Sequence, residues 1–198
     1  MHLEVIPVAV LLSGSGRTLE NFLQRIEAGS LPIRVVAVVS SKPGVRGLAI
    51  AEAAGIPNQI FRRKDHPDKD THNAAINAWL MPFQPRMILL AGYLCYYIRP
   101  DQFGGPILNI HPALLPKYGG RGYYGDKVHA AVLAAGDQES GCTVHHVDDI
   151  YDHGNIIAQR KVPVLPGDDV HTLADRVFAA ECELYPEVIT NLARSLTD

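Results

Sequence analysis

Pro106-Ile107-Leu108-Asn109-Ile110-His111-Pro112-Ala113-Leu114-Leu115-Pro116-Lys117-Tyr118-Gly119-Gly120 starts as an apolar run and ends as a stiff loop. Pro106-Ile107-Leu108 has the character of a buried strand. Asn109 and His111 follow, and residues two apart on a strand point to the same side. Pro112 and Pro116 then stop a regular helix or strand from continuing. The pattern brings an amide and an imidazole together at a strand end, the edge at which open α/β sheets bind ligands. An imidazole moves protons near neutral pH, and an Asn amide can donate to a developing oxyanion.

Upstream, Val8-Ala9-Val10-Leu11-Leu12 is a continuous apolar run, the mark of a central parallel strand. Ser13-Gly14-Ser15-Gly16-Arg17-Thr18 follows, and Leu19, Phe22, Leu23 and Ile26 then recur at helical spacing. Strand, glycine-rich turn and helix start together suit a phosphate, because backbone N–H groups point outward there. A dinucleotide fits less well. The third glycine of the fingerprint would fall at Leu19, and the strand Arg34 to Val39 ends in Ser40-Ser41-Lys42 without an acid for a ribose. A short helix from Gly47 to Ala54 is closed by Gly55, and Pro57 to Phe61 reads as a weaker strand. Arg62-Arg63-Lys64 is a basic run that suits a solvated face or an anion. His66 to Trp79 is helical in pattern, with Trp79 and Leu80 directed to the core, and Arg86 to Ala91 is a strand.

Downstream, Gly119-Gly120-Arg121-Gly122-Tyr123-Tyr124-Gly125 makes a mobile loop beside His111. Val128 to Ala135 is a helix ended by Gly136, and Gly141 to Val147 is a strand. Asn155 to Val162 is a further strand, added antiparallel at the sheet edge and bounded by Pro163 and Pro166. Asp168 and Asp169 start a long helix that carries Leu173, Val177, Ala180 and Leu184 on one face. The fold class that follows is α/β: a Rossmann-like, doubly wound, mostly parallel sheet with an antiparallel addition at its edge. The whole chain, 1–198, reads as a single domain.

A net charge of −3 over 198 residues offers no basic field for nucleic acid. Cys95, Cys142 and Cys182 show no paired spacing, which fits free thiols in a reducing compartment. Met1-His2-Leu3-Glu4 lacks a basic leader, and Pro7 interrupts the apolar stretch after it, so the reading is cytoplasmic with no membrane partner. His145-His146 and His153 invite a metal, but adjacent histidines on a strand diverge and no carboxylate or Cys completes a set, so no metal is expected.

Asn109-Ile110-His111-Pro112-Ala113-Leu114-Leu115-Pro116, followed by Thr143-Val144-His145-His146-Val147 and Tyr151-Asp152-His153-Gly154, resembles the signature blocks of the formyltetrahydrofolate-dependent formyltransferases. The resemblance runs from Val8 to about Ile189. It implies the formyltransferase fold, 10-formyltetrahydrofolate as co-substrate, and transfer of its formyl group to a primary amine. Asn109, His111 and Asp152 are the catalytic residues it implies. It makes Ser13, Gly14, Ser15, Gly16, Arg17 and Thr18 the loop for a ribose phosphate, with Glu181 on the ribose. Tyr93, Leu94, Cys95, Tyr96 and Tyr97 would line the pteridine pocket, largely through backbone groups, with Asn109 and His145 beside the folate. Relatives often carry Asn at Ser15 and Thr18, Met-Arg at Leu94-Cys95, and Gly at His153. The early phosphate loop and Glu181 favour glycinamide ribonucleotide, in purine biosynthesis, as the amine. The resemblance implies neither the extra carboxyl-terminal domain of the enzymes that formylate transfer RNA nor the amino-terminal regulatory domain of the hydrolases. A homodimer is compatible with this reading. Its competitors are a formyltransferase for another small amine, such as an amino sugar nucleotide, and a non-catalytic nucleotide- or folate-binding module.

Overall fold

Ile6–Leu12 (β1) and Ile33–Ser40 (β2) are buried along nearly their whole length, as befits strands covered on both faces. With Asn58–Ile60 (β3), Met87–Leu90 (β4), Ile107–His111 (β5), Glu139–His146 (β6) and Ile156–Pro163 (β7) they form a seven-stranded sheet in the order β3-β2-β1-β4-β5-β6-β7. The computed structural model describes residues 4–196; the reading of Met1, His2 and Leu3 lies outside the described residues. The chain packs as two compact units, one running to Leu108 and resuming at Ile189, the other Asn109–Val188.

In the first unit β1 runs parallel to both β2 and β4, and β2 runs parallel to β3. Arg17–Glu27 (α1) buries Leu19 and Phe22, two of the positions expected from its periodicity. Arg46–Ala53 (α2) follows β2. Lys69–Leu80 (α3) starts three residues later than its apolar pattern predicts. Pro67 precedes Asp68, which is extended (φ −140°) and closes a capping box with Thr71 at 2.7 Å; the local cap outweighs the periodicity. Trp79 is half-buried rather than central: its ring lies tilted against Phe83 at 4.9 Å and Phe61 at 6.2 Å between centroids, while Leu80 is fully buried. The basic run lies on a short 3₁₀ turn, Arg63–Asp65, where Arg62 pairs with Asp65 and Arg63 donates to the His66 carbonyl.

In the second unit β6 and β7 pair antiparallel, the edge addition anticipated from sequence. Asp126–Ala134 (α4) follows the glycine-rich loop. Val170–Ser195 (α5) begins after Asp169, whose carboxylate accepts from the His171 and Thr172 amides, and it buries Leu173, Val177, Ala180 and Leu184. Among the described residues no helix is long and apolar enough to cross a membrane.

Candidate active site

β5 ends in the second unit, and its alternating side chains Asn109 and His111 meet a single carboxylate, Asp152. Asn109 Nδ2 donates to Asp152 Oδ1 at 3.3 Å and lies 3.1 Å from Nε2 of His145, which comes from β6. His145 Nδ1 donates to the His146 carbonyl at 2.8 Å, which leaves Nε2 facing Asn109 and, at 3.6 Å, Asp152 Oδ1. His111 Nε2 donates to the Tyr118 carbonyl at 2.7 Å, and its Nδ1 stands 3.5 Å from Asp152 Oδ2. That same Oδ2 accepts the Gly120 N–H at 3.0 Å. Tyr118 and Asp152 are non-glycine residues at φ 57° and 54°, a sparsely populated region that persists only where the surroundings enforce it. These are also the residues that present oxygen to the two ring nitrogens of His111.

The electrostatics follow from burial. His111 is 4% exposed, and burial holds its pKa below the ordinary 6.5, against the opposing pull of Asp152 and the Tyr118 carbonyl. Burial pushes Asp152 up, but the His145 contact, the His111 charge and the Gly120 N–H outweigh it and leave its pKa below 3.8. An ionised carboxylate therefore faces His111 Nδ1. Because Nε2 is fixed by a carbonyl, a proton gained or lost by this ring is gained or lost at Nδ1. Of the two hydrogens of Asn109 Nδ2, the one on the longer 3.3 Å bond to Asp152 is the easier to redirect to a developing oxyanion. Cys142 offers no nucleophile: its thiol is pushed up to about 12, first by burial and then by Glu181.

Partners distant in sequence hold the loop after β5. Thr143 Oγ1 donates to the Ala113 carbonyl at 2.6 Å and accepts from the Leu115 amide at 3.1 Å. Gln159 Nε2, from β7, donates to both the Leu115 carbonyl and Thr143 Oγ1 at 2.9 Å. A Cβ on Gly119 would stand 2.5 Å from Leu115 Cδ2 and 3.4 Å from Asp152 Cβ, so a larger residue there would have to displace the Leu115 side chain. Sequence reasoning did not find Gln159, the Tyr118 carbonyl or the Gly120 amide. Glycine at 119 and 120 was the only trace of the last of these.

The other predicted residues lie in the first unit, apart from Glu181, which is half-buried on α5 in the second. Gly16 caps α1 in the left-handed region at φ 71°, and a Cβ there would meet Gly47 Cα at 2.5 Å. The Gly14 carbonyl accepts from the Gly47 amide at 3.2 Å and the Ser15 carbonyl from Arg46 at 3.3 Å. Ser15 and Arg17 are exposed and Thr18 is half-buried. Ser13 is 3% exposed, with its Oγ 2.5 Å from Ser41 Oγ and accepting the Leu94 amide at 2.8 Å; its side chain supports the loop from beneath.

In the 93–97 segment Tyr93 and Tyr97 are buried, Leu94 is exposed, and Cys95 and Tyr96 are half-buried. Tyr97 donates its hydroxyl to Asn77 Oδ1 at 2.7 Å. The buried tyrosines are therefore packing residues, and the segment presents backbone and Leu94. Among the described residues no cluster of His, Cys, Asp and Glu is placed to hold a metal.

A family model described as formyl transferase matches residues 6–189. The trifunctional purine biosynthetic protein adenosine-3 of Drosophila pseudoobscura pseudoobscura is 40% identical over 190 residues, 94% of this chain. The chain spans only 14% of the length of that relative. Phosphoribosylglycinamide formyltransferase of Haemophilus influenzae is 37% identical over 185 residues, 92% of this chain and 84% of the relative. The crystal structure of phosphoribosylglycinamide formyltransferase from Brucella melitensis shares 42% identity and superposes with a TM-score of 0.82, covering 96% of each chain. The match over residues 6–189 takes in β5, the Asp152 segment and the glycine-rich loop before α1 alike, and on that ground the chain belongs to the formyl transferase family.

Proposed function

We propose that this chain transfers the formyl group of 10-formyltetrahydrofolate to the primary amine of glycinamide ribonucleotide, a step of purine biosynthesis. The observation that carries this is Asp152, which touches Asn109 and faces His111 Nδ1 at 3.5 Å. The names of the Haemophilus and Brucella relatives support the choice of amine. The amine nitrogen attacks the formyl carbon and a C–N bond forms. Asn109 donates to the oxygen that becomes negative. The amine proton passes to the Asp152–His111 pair, whose proton sits at His111 Nδ1. The bond to the folate nitrogen then breaks as that nitrogen is protonated, and tetrahydrofolate leaves with the formyl group on the amine.

The 13–18 loop takes the phosphate through its backbone amides, with Arg17 and Thr18 at its rim and Glu181 on the ribose. Segment 93–97 and His145 serve the folate, and the two units act as one formyltransferase domain in the cytoplasm. A formyltransferase for an amino sugar nucleotide is the competing reading. Purified protein is mixed with 10-formyltetrahydrofolate and either amine, and folate absorbance is followed. Turnover with glycinamide ribonucleotide at least 100-fold above the amino sugar nucleotide is expected; the reverse preference overturns the proposal, and binding of folate without turnover favours a non-catalytic module.

A further inference from the structure

Two loops of the first unit meet at one hydroxyl. Ser13 closes β1 and opens the glycine-rich loop, and its Oγ accepts the amide of Leu94, in the 93–97 segment, at 2.8 Å. The same oxygen is hydrogen-bonded to Ser41 Oγ at 2.5 Å. Ser13 is 3% and Ser41 7% exposed, so water does not replace either partner. Each loop has a separate anchor farther along. The glycine-rich loop is held by Gly47 and Arg46 on the Gly14 and Ser15 carbonyls. The far end of the other segment is held by α3: Asn73 Oδ1 accepts the Ile98 amide at 2.8 Å, Asn73 Nδ2 donates to the Tyr96 carbonyl at 3.2 Å, and Asn77 Nδ2 donates to the Ile98 carbonyl at 3.3 Å. The near ends, by contrast, are joined to each other through Ser13.

We propose that Ser13 is a positioning residue that keeps the 93–97 segment in register with the glycine-rich loop, so that occupancy of either loop favours occupancy of the other. The inference rests on the reading that these loops serve the substrate phosphate and the folate. The reasoning is thermodynamic. A phosphate gripped by the amides after Ser13 restricts the backbone on which that hydroxyl is mounted. The Leu94 amide then loses freedom with it, and folate meets a segment that is already ordered. Reciprocity requires the same factor in the opposite direction. Alanine at 13 would leave the Leu94 N–H and the Ser41 hydroxyl buried without this partner, and the side-chain link between the two loops would be gone, while the strand bonds before them, such as the Ala91 amide to the Leu11 carbonyl at 2.8 Å, remain.

The test uses glycinamide ribonucleotide and tetrahydrofolate, which lacks the formyl group and so permits no turnover. Each is titrated calorimetrically into the full chain, alone and with the other saturating. In wild type each Kd should tighten by about 5-fold or more when the other ligand is present, by the same factor both ways. In Ser13→Ala that factor should fall towards about 1, read from each ligand's Kd with and without the other, whatever change the substitution brings to the single-ligand values. Where Ser13→Ala melts below the assay temperature, Ser41→Ala removes the other partner of the hydroxyl and should reduce the factor at least by half. Asn73→Ala, which loosens only the far anchor, should weaken tetrahydrofolate and leave the factor in place. Independent binding in wild type, or a wild-type factor in folded Ser13→Ala, overturns the proposal. Wild type that binds neither ligand refutes the functional reading first, and the proposal falls with it.

Discussion

The Asp152 cluster and the glycine-rich loop both stand at strand ends, yet they are built in opposite ways. In the cluster the groups that can do chemistry are largely side chains, and each is held by another: Asn109 by His145 and Asp152, His111 by the Tyr118 carbonyl, Asp152 by the Gly120 amide. In the loop the backbone does the work. Gly16 adopts φ 71° against Gly47, the Gly14 and Ser15 carbonyls are fixed from α2, and the Ser13 hydroxyl is engaged underneath. A side-chain site should tolerate small backbone changes and fail when a functional group changes. A backbone site should behave the other way round.

The sharpest way to break this contrast is Asp152→Asn. The substitution preserves shape but removes the charge opposite His111 Nδ1 and brings an amide against the Asn109 and Gly120 donors. We expect kcat/KM to fall by about 10³ or more, with tetrahydrofolate affinity little changed. Under the proposed mechanism Asp152 and His111 form one unit, so the double mutant Asp152→Asn/His111→Ala should be little worse than the poorer single mutant. Losses that multiply in this cycle would mean that the two residues work independently. Asn109→Ala should come next, with kcat lower by about 10²–10³ and substrate KM within a few-fold. A rise in KM alone would make Asn109 a binding residue.

On the loop side the decisive change is one methyl group. Gly16→Ala puts a Cβ 2.5 Å from Gly47 Cα at φ 71°, and should cost about 1–3 kcal/mol of stability, lowering Tm by about 2–12 °C. Affinity for glycinamide ribonucleotide should drop while tetrahydrofolate affinity holds within a few-fold. Equal loss of both ligands would mean general damage instead of a local phosphate site.

The two regions also differed in how far the sequence disclosed them. Buried parallel strands announce themselves as unbroken aliphatic runs, so β1, β2 and β4 lie within a residue or two of expectation. Asn109, His111 and Asp152 were singled out by their resemblance to ordered family blocks, and the structure brings these three side chains together. What supports them was not legible. The carbonyl of Tyr118 and the amide of Gly120 belong to the backbone and have no letter of their own. Gln159 reaches Leu115 across 44 positions, and Asn73 meets Ile98 across 25; no local pattern carries such pairings. The place of the Ser13 hydroxyl was hidden for a related reason: its partners Ser41 and Leu94 lie 28 and 81 positions away. The start of α3 was misplaced because a helical period says nothing of the cap that Asp68 forms after Pro67.

Acid should act on the cluster through groups the loop does not use. Burial is the first cause that holds His72, His111 and His129 below the ordinary 6.5. Each binds a proton more readily in the unfolded chain, so unfolding takes up protons once the pH is below that value. Their contribution is complete above pH 6.5 and is lost as pH falls from there through the folded values, at up to about 1.4 kcal/mol per pH unit for each proton taken up. The carboxylates Asp137, Asp148 and Asp152, whose values are lowered from 3.8, open a second window only below that pH. Tm should therefore be flat from pH 8 to 7 and decline from 6.5 to 5. His129 Nδ1 is buried without a hydrogen-bond partner, and His129→Gln should flatten that decline. An unchanged slope would place the proton uptake elsewhere.

The smallest effect sharpens the comparison most. Ser15 is exposed, and the bond that fixes it in the loop is made by its carbonyl, to Arg46. Ser15→Ala keeps that carbonyl, the backbone amides and the glycines on either side, and it removes only a hydroxyl. If the loop grips phosphate through its backbone, KM for glycinamide ribonucleotide should rise by less than about 3-fold, the scale of a solvated hydrogen bond at the low end of its range. kcat and the tetrahydrofolate KM should not move. A rise of about 10-fold or more would put a hydrogen bond to a charged group at this side chain. The loop would then share the logic of the cluster, with an exposed serine hydroxyl taking part of the role assigned here to Gly14 and Gly16. Steady-state kinetics with each substrate varied in turn decide between the two.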